Sequence, residues 1–258
     1  MRRYTILHPL YLSLYSRSLY RDVGLRWQGY GFAYLFLLVL LLGIPEMIKL
    51  HTNVSDFIAA ESPRVVEQFP TITVTKGNAS IDGPSPHVIY YPDKSVPFIV
   101  LDPSGSYTSL KDPGTVALLT KTKVLFRKGP SEVRAFDLAG IDHLVVDHAT
   151  IVDWVELFRN WFAILLFPFV LLFSFFYYAL QILLCAAAGT IFAKSFGVVL
   201  DHKALVRLAA VCFTPSALML IVHSLLDIEF PLSGSIAFFF SLGYLYYAVG
   251  VNAEKENE

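Results

Sequence analysis

The longest apolar run of the chain covers residues 161–192, WFAILLFPFVLLFSFFYYALQILLCAAAGTIF, and no acidic or basic residue falls between Arg159 and Lys194. At about 32 residues it exceeds the roughly 20 needed to cross a bilayer. It also lacks the polar face that a soluble helix of this length would carry. The run predicts a membrane-spanning helix. Three shorter apolar runs predict three more, at 30–50, 208–226 and 235–251. The first is centred on YLFLLVLLLGI, with Pro45 and Glu46 marking its far end. The region before it is too long for a signal-peptide n-region and no small-x-small cleavage site follows closely, so it reads as a retained signal anchor. The third is interrupted by Thr214-Pro215-Ser216, where proline frees a backbone carbonyl that hydroxyls or water must satisfy. In the long run, Cys185, Gly189 and Ala193 repeat at four-residue spacing, a small-residue face suited to close helix packing.

Between the first two runs the pattern changes to short alternating stretches, and residues 51–158 read as one soluble β-rich domain. Ser62-Pro63 resembles the start of a short helix ending at Phe69-Pro70. Strands are predicted at 71–75, 79–81, 88–91, 98–101, 116–119, 123–126 and 133–136. Turn residues separate them: Lys76-Gly77-Asn78, Asp82-Gly83-Pro84, Tyr91-Pro92-Asp93, Asp102-Pro103-Ser104-Gly105, Asp112-Pro113-Gly114 and Lys128-Gly129-Pro130. Short strands with tight turns predict a mostly antiparallel sheet. Thr150, with Asp153 three residues on, resembles a capping box that opens a helix at Ile151. That helix is expected to pack Trp154, Leu157 and Phe158 beneath the sheet, to run into the 161–192 span and to kink at Pro168.

The segment 1–29 is amphipathic. Leu7, Leu10, Tyr11, Leu14, Tyr15 and Leu19 recur at helical spacing, with Arg17, Arg21 and Arg26 off that face or at its edge. It is expected to lie in the headgroup layer, the alternative being a helix packed on the membrane bundle. Lysine and arginine set the orientation. Segment 1–29 holds five arginines, the 194–207 loop holds Lys194, Lys203 and Arg207, and the 227–234 hairpin holds none. The positive-inside rule then places the amphipathic segment, the 194–207 loop and the 252–258 tail in the cytoplasm, and 51–158 and the hairpin on the opposite, periplasmic side.

Composition agrees with this division. The 258 residues are 55% hydrophobic and 16% charged, against about 25% charged in soluble domains. The net charge of −1 offers no basic footprint for nucleic acid. Both cysteines, Cys185 and Cys212, fall in apolar runs, so no disulfide framework holds the soluble region.

Candidate chemistry is sparse. Asp142-His143 and Asp147-His148 repeat an acid–imidazole pair, with Asp137 and Asp153 nearby. Imidazole and carboxylate could ligate zinc, but five-residue spacing puts the two histidines on no common strand or helix face. A loop would be needed to bring them together, and the competing readings are a solvated loop or a contact between domain and membrane. The serine of Asp102-Pro103-Ser104-Gly105-Ser106 lacks the Gly-x-Ser-x-Gly frame of a nucleophile elbow and reads as a turn. His223, one turn from Asp227, is an ionisable group near the end of the third span. Gln181 reads as an interhelical hydrogen-bonding group. Asn53-Val54-Ser55 and Asn78-Ala79-Ser80 match a glycosylation triplet that matters only in a eukaryotic secretory membrane.

Three stretches carry a family resemblance. The first is Ser13-Leu14-Tyr15-Ser16-Arg17-Ser18-Leu19-Tyr20-Arg21-Asp22-Val23, leading through Trp27-Gln28-Gly29. The second is Phe69-Pro70-Thr71-Ile72-Thr73-Val74 with Gly77 and Ile81-Asp82, and the third is Phe98-Ile99-Val100-Leu101-Asp102 followed by Gly105. Together they resemble the bacterial inner-membrane family called domain of unknown function 1189, whose membrane part is similar to Yip1-like bundles. The family's aspartate usually precedes Thr, where this chain has Pro103. The resemblance implies a cytoplasmic-membrane protein with a periplasmic domain and brings no active site with it.

The expectation is therefore an α-helical membrane protein of four transmembrane helices, with an extracytoplasmic, mostly antiparallel β (α+β) domain inserted between helices 1 and 2. It is expected to be a multi-pass protein of the bacterial inner membrane and not an enzyme, with no catalytic, cofactor or metal residues. Its partners would be the lipid bilayer and either a protein partner or further copies of itself. The role would be binding, assembly or envelope association through the β domain, the alternative being an oligomeric transporter-like or lipid-handling component.

Overall fold

The computed structural model describes residues 3–91, 97–110, 114–129, 132–226 and 231–253. Six helices and eight strands follow in the order α1 (Pro9–Leu12), α2 (Arg17–Leu25), α3 (Gly31–Val66), β1 (Ile72–Thr75), β2 (Asn78–Ile81), β3 (His87–Tyr90), β4 (Pro97–Asp102), β5 (Ala117–Thr120), β6 (Lys123–Arg127), β7 (Val133–Asp137), β8 (His143–Val146), α4 (His148–Phe196), α5 (His202–Leu225) and α6 (Ser233–Ala253). Two compact units result: Met1–Leu50 with Ala163–Glu258, and His51–Phe162.

In the helical unit, α3, α4, α5 and α6 are each long and apolar enough to cross a membrane. α5 supplies much of the core: Leu205, Leu208, Ala209, Val211, Cys212, Phe213 and Ala217 are all buried. Asp201 opens α5, its carboxylate accepting the Ala204 N–H at 2.7 Å. The small-residue face of α4 is packed as expected. Cys185, Gly189 and Ala193 are buried, and a methyl group built on Gly189 would stand 3.2 Å from Leu205 Cδ2 and 3.3 Å from Leu245 Cδ2.

The amphipathic segment departs from a single helix lying on one face. The chain breaks between α1 and α2, and Ser16 caps α2, its hydroxyl accepting the Leu19 N–H at 3.3 Å. Leu19, Tyr20, Val23 and Trp27 are buried in the core of this unit. Leu7, Tyr11, Leu14 and Tyr15 stay exposed. Asp22 explains the fold-back: its buried carboxylate accepts the Arg3 N–H at 2.9 Å, the Tyr4 N–H at 3.2 Å and the Trp27 indole N–H at 3.2 Å. The Arg207 guanidinium donates to the Val23 and Gly24 carbonyls, and the Asn252 amide to the Tyr20 carbonyl, tying α2 to α5 and α6.

The second unit holds two sheets instead of one. β2, β1 and β8 form a three-stranded antiparallel sheet, and β3, β4, β5, β6 and β7 a five-stranded one, in those spatial orders. All pairs are antiparallel except β4 with β5, which is parallel. Lys76 and Gly77 both take positive φ, 48° and 76°, the two-residue turn that matches strand twist in the β1–β2 hairpin. Gly77 is also required by space, since a Cβ there would stand 2.8 Å from Ala139 Cα. Val74, Ala79, Ile89, Leu101, Leu119 and Leu138 form the core, joined by Val65 and Phe69 from the α3 end of the unit.

Four expectations are corrected. α3 continues through Pro45 and Pro63 to Val66, so neither proline ends it and Ser62 caps no separate helix. β8 occupies four residues of the predicted loop, hidden from pattern reading because its partner β1 lies about 70 residues earlier. The helix cap is Asp147, whose carboxylate accepts both the Thr150 N–H at 2.8 Å and the Thr150 hydroxyl at 2.6 Å. Trp154, Leu157 and Phe158 are exposed, because Ile151, Val152, Val155 and Phe162 form the inward face of that part of α4. Pro168 lies inside α4, which the secondary structure carries through without interruption.

Candidate functional site

His143 sits in β8, opposite Thr75, while Asp147 caps α4 and His148 is its first residue. Strand and helix thus separate the two imidazoles. Among the described residues no group of three or more His, Cys, Asp or Glu is arranged to hold a metal ion. Hydrogen bonds from Thr150 hold the Asp147 carboxyl below its ordinary pKa.

The Asp102 turn is the most polar buried point of the β-rich unit. Asp102 has no exposed surface at the end of β4. Its carboxylate accepts the Ser85 hydroxyl at 3.1 Å, the Ser104 N–H at 3.1 Å, the Ser104 hydroxyl, and the Tyr107 N–H at 2.5 Å. Burial pushes the Asp102 pKa up, but the bonds from Ser104, Tyr107 and Ser85 outweigh it and the net shift is down. Both the N–H and the hydroxyl of Ser104 bond to the Asp102 carboxylate, so the turn is a loop clamp. Pro103 leaves the clamp intact, because both bonds from residue 104 are made.

In the helical unit, the hydroxyls flanking Pro215 pair with other helices. The Tyr34 hydroxyl meets Thr214 Oγ1 at 2.6 Å, and Ser216 Oγ meets Ser241 Oγ at 2.7 Å, all of them buried. The sequence predicted that neighbouring hydroxyls or water would satisfy the carbonyl freed by Pro215; it did not point to Tyr34 and Ser241, whose only signal was a polar atom inside an apolar run. Gln181 is half-buried and lines a groove of about 270 Å³ with Tyr177, Ser235 and Phe238. His223 is half-buried; its expected neighbour Asp227 lies outside the described residues, as do Pro92, Asp93, Asp112, Pro113 and Pro130 of the predicted turns.

One surface of the β-rich unit is chemically distinctive. Register puts Ile89, Ile99, Leu101, Leu119, Val124, Phe126, Arg134 and Phe136 on one face of the five-stranded sheet. The core covers that face as far as Val124. Beyond it, Phe126 and Phe136 are 46% and 55% exposed, their rings 5.7 Å apart and edge-to-face. β7 is exposed at all five positions and, among the described residues, pairs with β6 alone. The opposite face of the sheet is closed over the buried Val100 and Leu118. There Arg127 donates to the Thr115 and Leu110 carbonyls at 3.0 and 2.9 Å.

Four long apolar helices and two β-sheets define a multi-pass membrane protein of α+β type. The family model described as protein of unknown function DUF1189 matches residues 7–249, so the chain belongs to that family. The match does not bear on the Yip1-like description of its membrane part. No curated protein and no solved structure matches the chain.

Proposed function

We propose that this protein is a non-enzymatic binding or assembly protein of the bacterial inner membrane, with its β-rich unit in the periplasm and its helices as the anchor. The observation that carries this reading is the uncovered aromatic pair Phe126 and Phe136 beside the exposed edge strand β7. An open edge accepts one more strand through backbone hydrogen bonds, and neighbouring side chains select it. Soluble proteins normally blunt such edges. Around this edge Lys128 and Arg134 both pair with the single Glu132, at 3.5 and 3.2 Å, and the positive excess favours an extended segment carrying acidic and apolar residues in alternation. The periplasmic assignment rests on the distribution of lysine and arginine.

The test is a photo-crosslinking amino acid at Phe136 in cells, with one at Asp82 as control. A discrete product from position 136 alone, lost when Ala135→Pro blocks the edge, supports the reading. Equal or absent products at both positions refute it. The second reading, an oligomeric lipid-handling component, draws on the groove between α4 and α6 that Gln181 and Ser235 line.

A further inference from the structure

A second cavity, of about 440 Å³, lies in the helical unit where three helices end. Arg17 opens α2, Phe196 is the last residue of α4, and Tyr246, Tyr247, Gly250 and Ala253 belong to the last two turns of α6. Its volume lies within the roughly 300–1,000 Å³ range of small-molecule sites. One wall is aromatic: the Phe196 and Tyr246 rings are 4.8 Å apart. Tyr247 is held edge-on against the buried Tyr20 at 6.0 Å. Gly250 keeps that wall close, since a Cβ there would stand 3.2 Å from Phe196 Cζ. The lining is thus apolar and aromatic, with two phenol hydroxyls and one guanidinium.

Depth narrows the choice of guest. The apolar run of α4 stops at Lys194, two residues before Phe196, and charge returns after α6 at Glu254. The residues just before Arg17, Leu14 and Tyr15, are 47% and 67% exposed. Apolar groups left open next to a cation, at the level where spanning helices end, match the boundary between acyl chains and headgroups. A guest at this depth is amphipathic, and a guanidinium matches a phosphate oxygen pair through parallel N–H bonds.

We propose that this cavity binds the phosphate of an anionic phospholipid, with Arg17 as the phosphate ligand and Phe196 and Tyr246 against the first carbons of the acyl chains.

The experiment is native mass spectrometry of the full-length protein in detergent, with phosphatidylglycerol, phosphatidylcholine or inorganic phosphate added. Wild type retains phosphatidylglycerol over phosphatidylcholine, and Arg17→Gln weakens that retention by about fivefold, the worth of one cation at an anionic surface. Lys203→Gln removes an exposed cation outside the cavity and leaves retention unchanged. The circular dichroism and melting temperature of Arg17→Gln, measured alongside, are expected to match wild type. Ala253→Phe keeps the arginine, fills the cavity and lowers retention. Resistance of the bound lipid to millimolar phosphate assigns the site to lipid, whereas displacement by phosphate assigns the same arginine site to soluble phosphate esters. Equal retention of the two lipids, or equal losses in Arg17→Gln and Lys203→Gln, overturns the proposal.

Discussion

The hydroxyl pair Tyr34–Thr214 offers the sharpest test of how the helical unit is held. Its atoms are 2.6 Å apart, buried, and belong to α3 and α5. Tyr34→Phe removes one hydroxyl and leaves the ring, which stays edge-on to Trp27 at 6.4 Å. Thr214→Val removes the other at nearly constant volume. An unpaired hydroxyl in an apolar setting costs about 1–3 kcal/mol. Thr214 in the single variant reduces that cost by turning back to a carbonyl of its own helix, a route open to threonine in helices. Each single substitution is therefore expected to cost about 1 kcal/mol. The coupling from the double-mutant cycle is expected near 0.6 kcal/mol and no higher than about 1.7, the range found for hydrogen bonds inside membrane bundles. The assay is reversible unfolding in mixed micelles, with Trp27 fluorescence as the reporter in a background with Trp154 and Trp161 replaced by Phe. Additive single effects, with coupling indistinguishable from zero, would show that the pair is adjacent without being bonded.

Three further outcomes follow from the packing and the clamps. Asp22→Ala leaves the Trp27 indole N–H without its buried acceptor, so the first residues detach; protease cleavage between residues 3 and 15 should accelerate while the later helices stay protected. Gly189→Val drives a branched side chain into Leu205 and Leu245 and should lower stability by about 1–3 kcal/mol, whereas Gly189→Ala displaces only their flexible methyl ends and should cost less. A fragment of residues 60–148 contains all eight strands and should fold alone. Because the folded pKa of Asp102 is depressed, its stabilisation is present above about pH 4, the unfolded carboxylate value, and is lost as pH falls through the folded value. Asp102→Asn should therefore melt lower than wild type near neutrality, and the gap should close in acid.

What could be read from the sequence was what local rules govern. The apolar runs announced the four long helices, Lys76-Gly77 announced its hairpin, and the four-residue spacing of Cys185, Gly189 and Ala193 announced close packing. What could not be read depends on distant partners. β8 is short, mostly exposed and pairs with β1 across most of the unit, so no local pattern marked it. The division into two sheets, and the exposure of Phe126 and Phe136 on an otherwise covered face, follow from strand order, which alternation does not encode. Arg17 illustrates the same limit: its sequence neighbours marked an amphipathic helix, but only the ends of α4 and α6 build a cavity around it. Residues of two of the family stretches hold local structure: Ser16 and Asp22 cap and clamp α2, and Asp102 clamps its loop.

The account rests on the β-rich unit facing away from the cytoplasm. Single cysteines at Asn78, exposed in β2, and at His202, the exposed first residue of α5, test it directly in a background with Cys185 and Cys212 replaced. With an impermeant thiol reagent and a permeabilised outer membrane, position 78 should label in whole cells and position 202 only after lysis. Labelling at 202 in whole cells, with 78 protected until lysis, would invert the orientation and contradict the account.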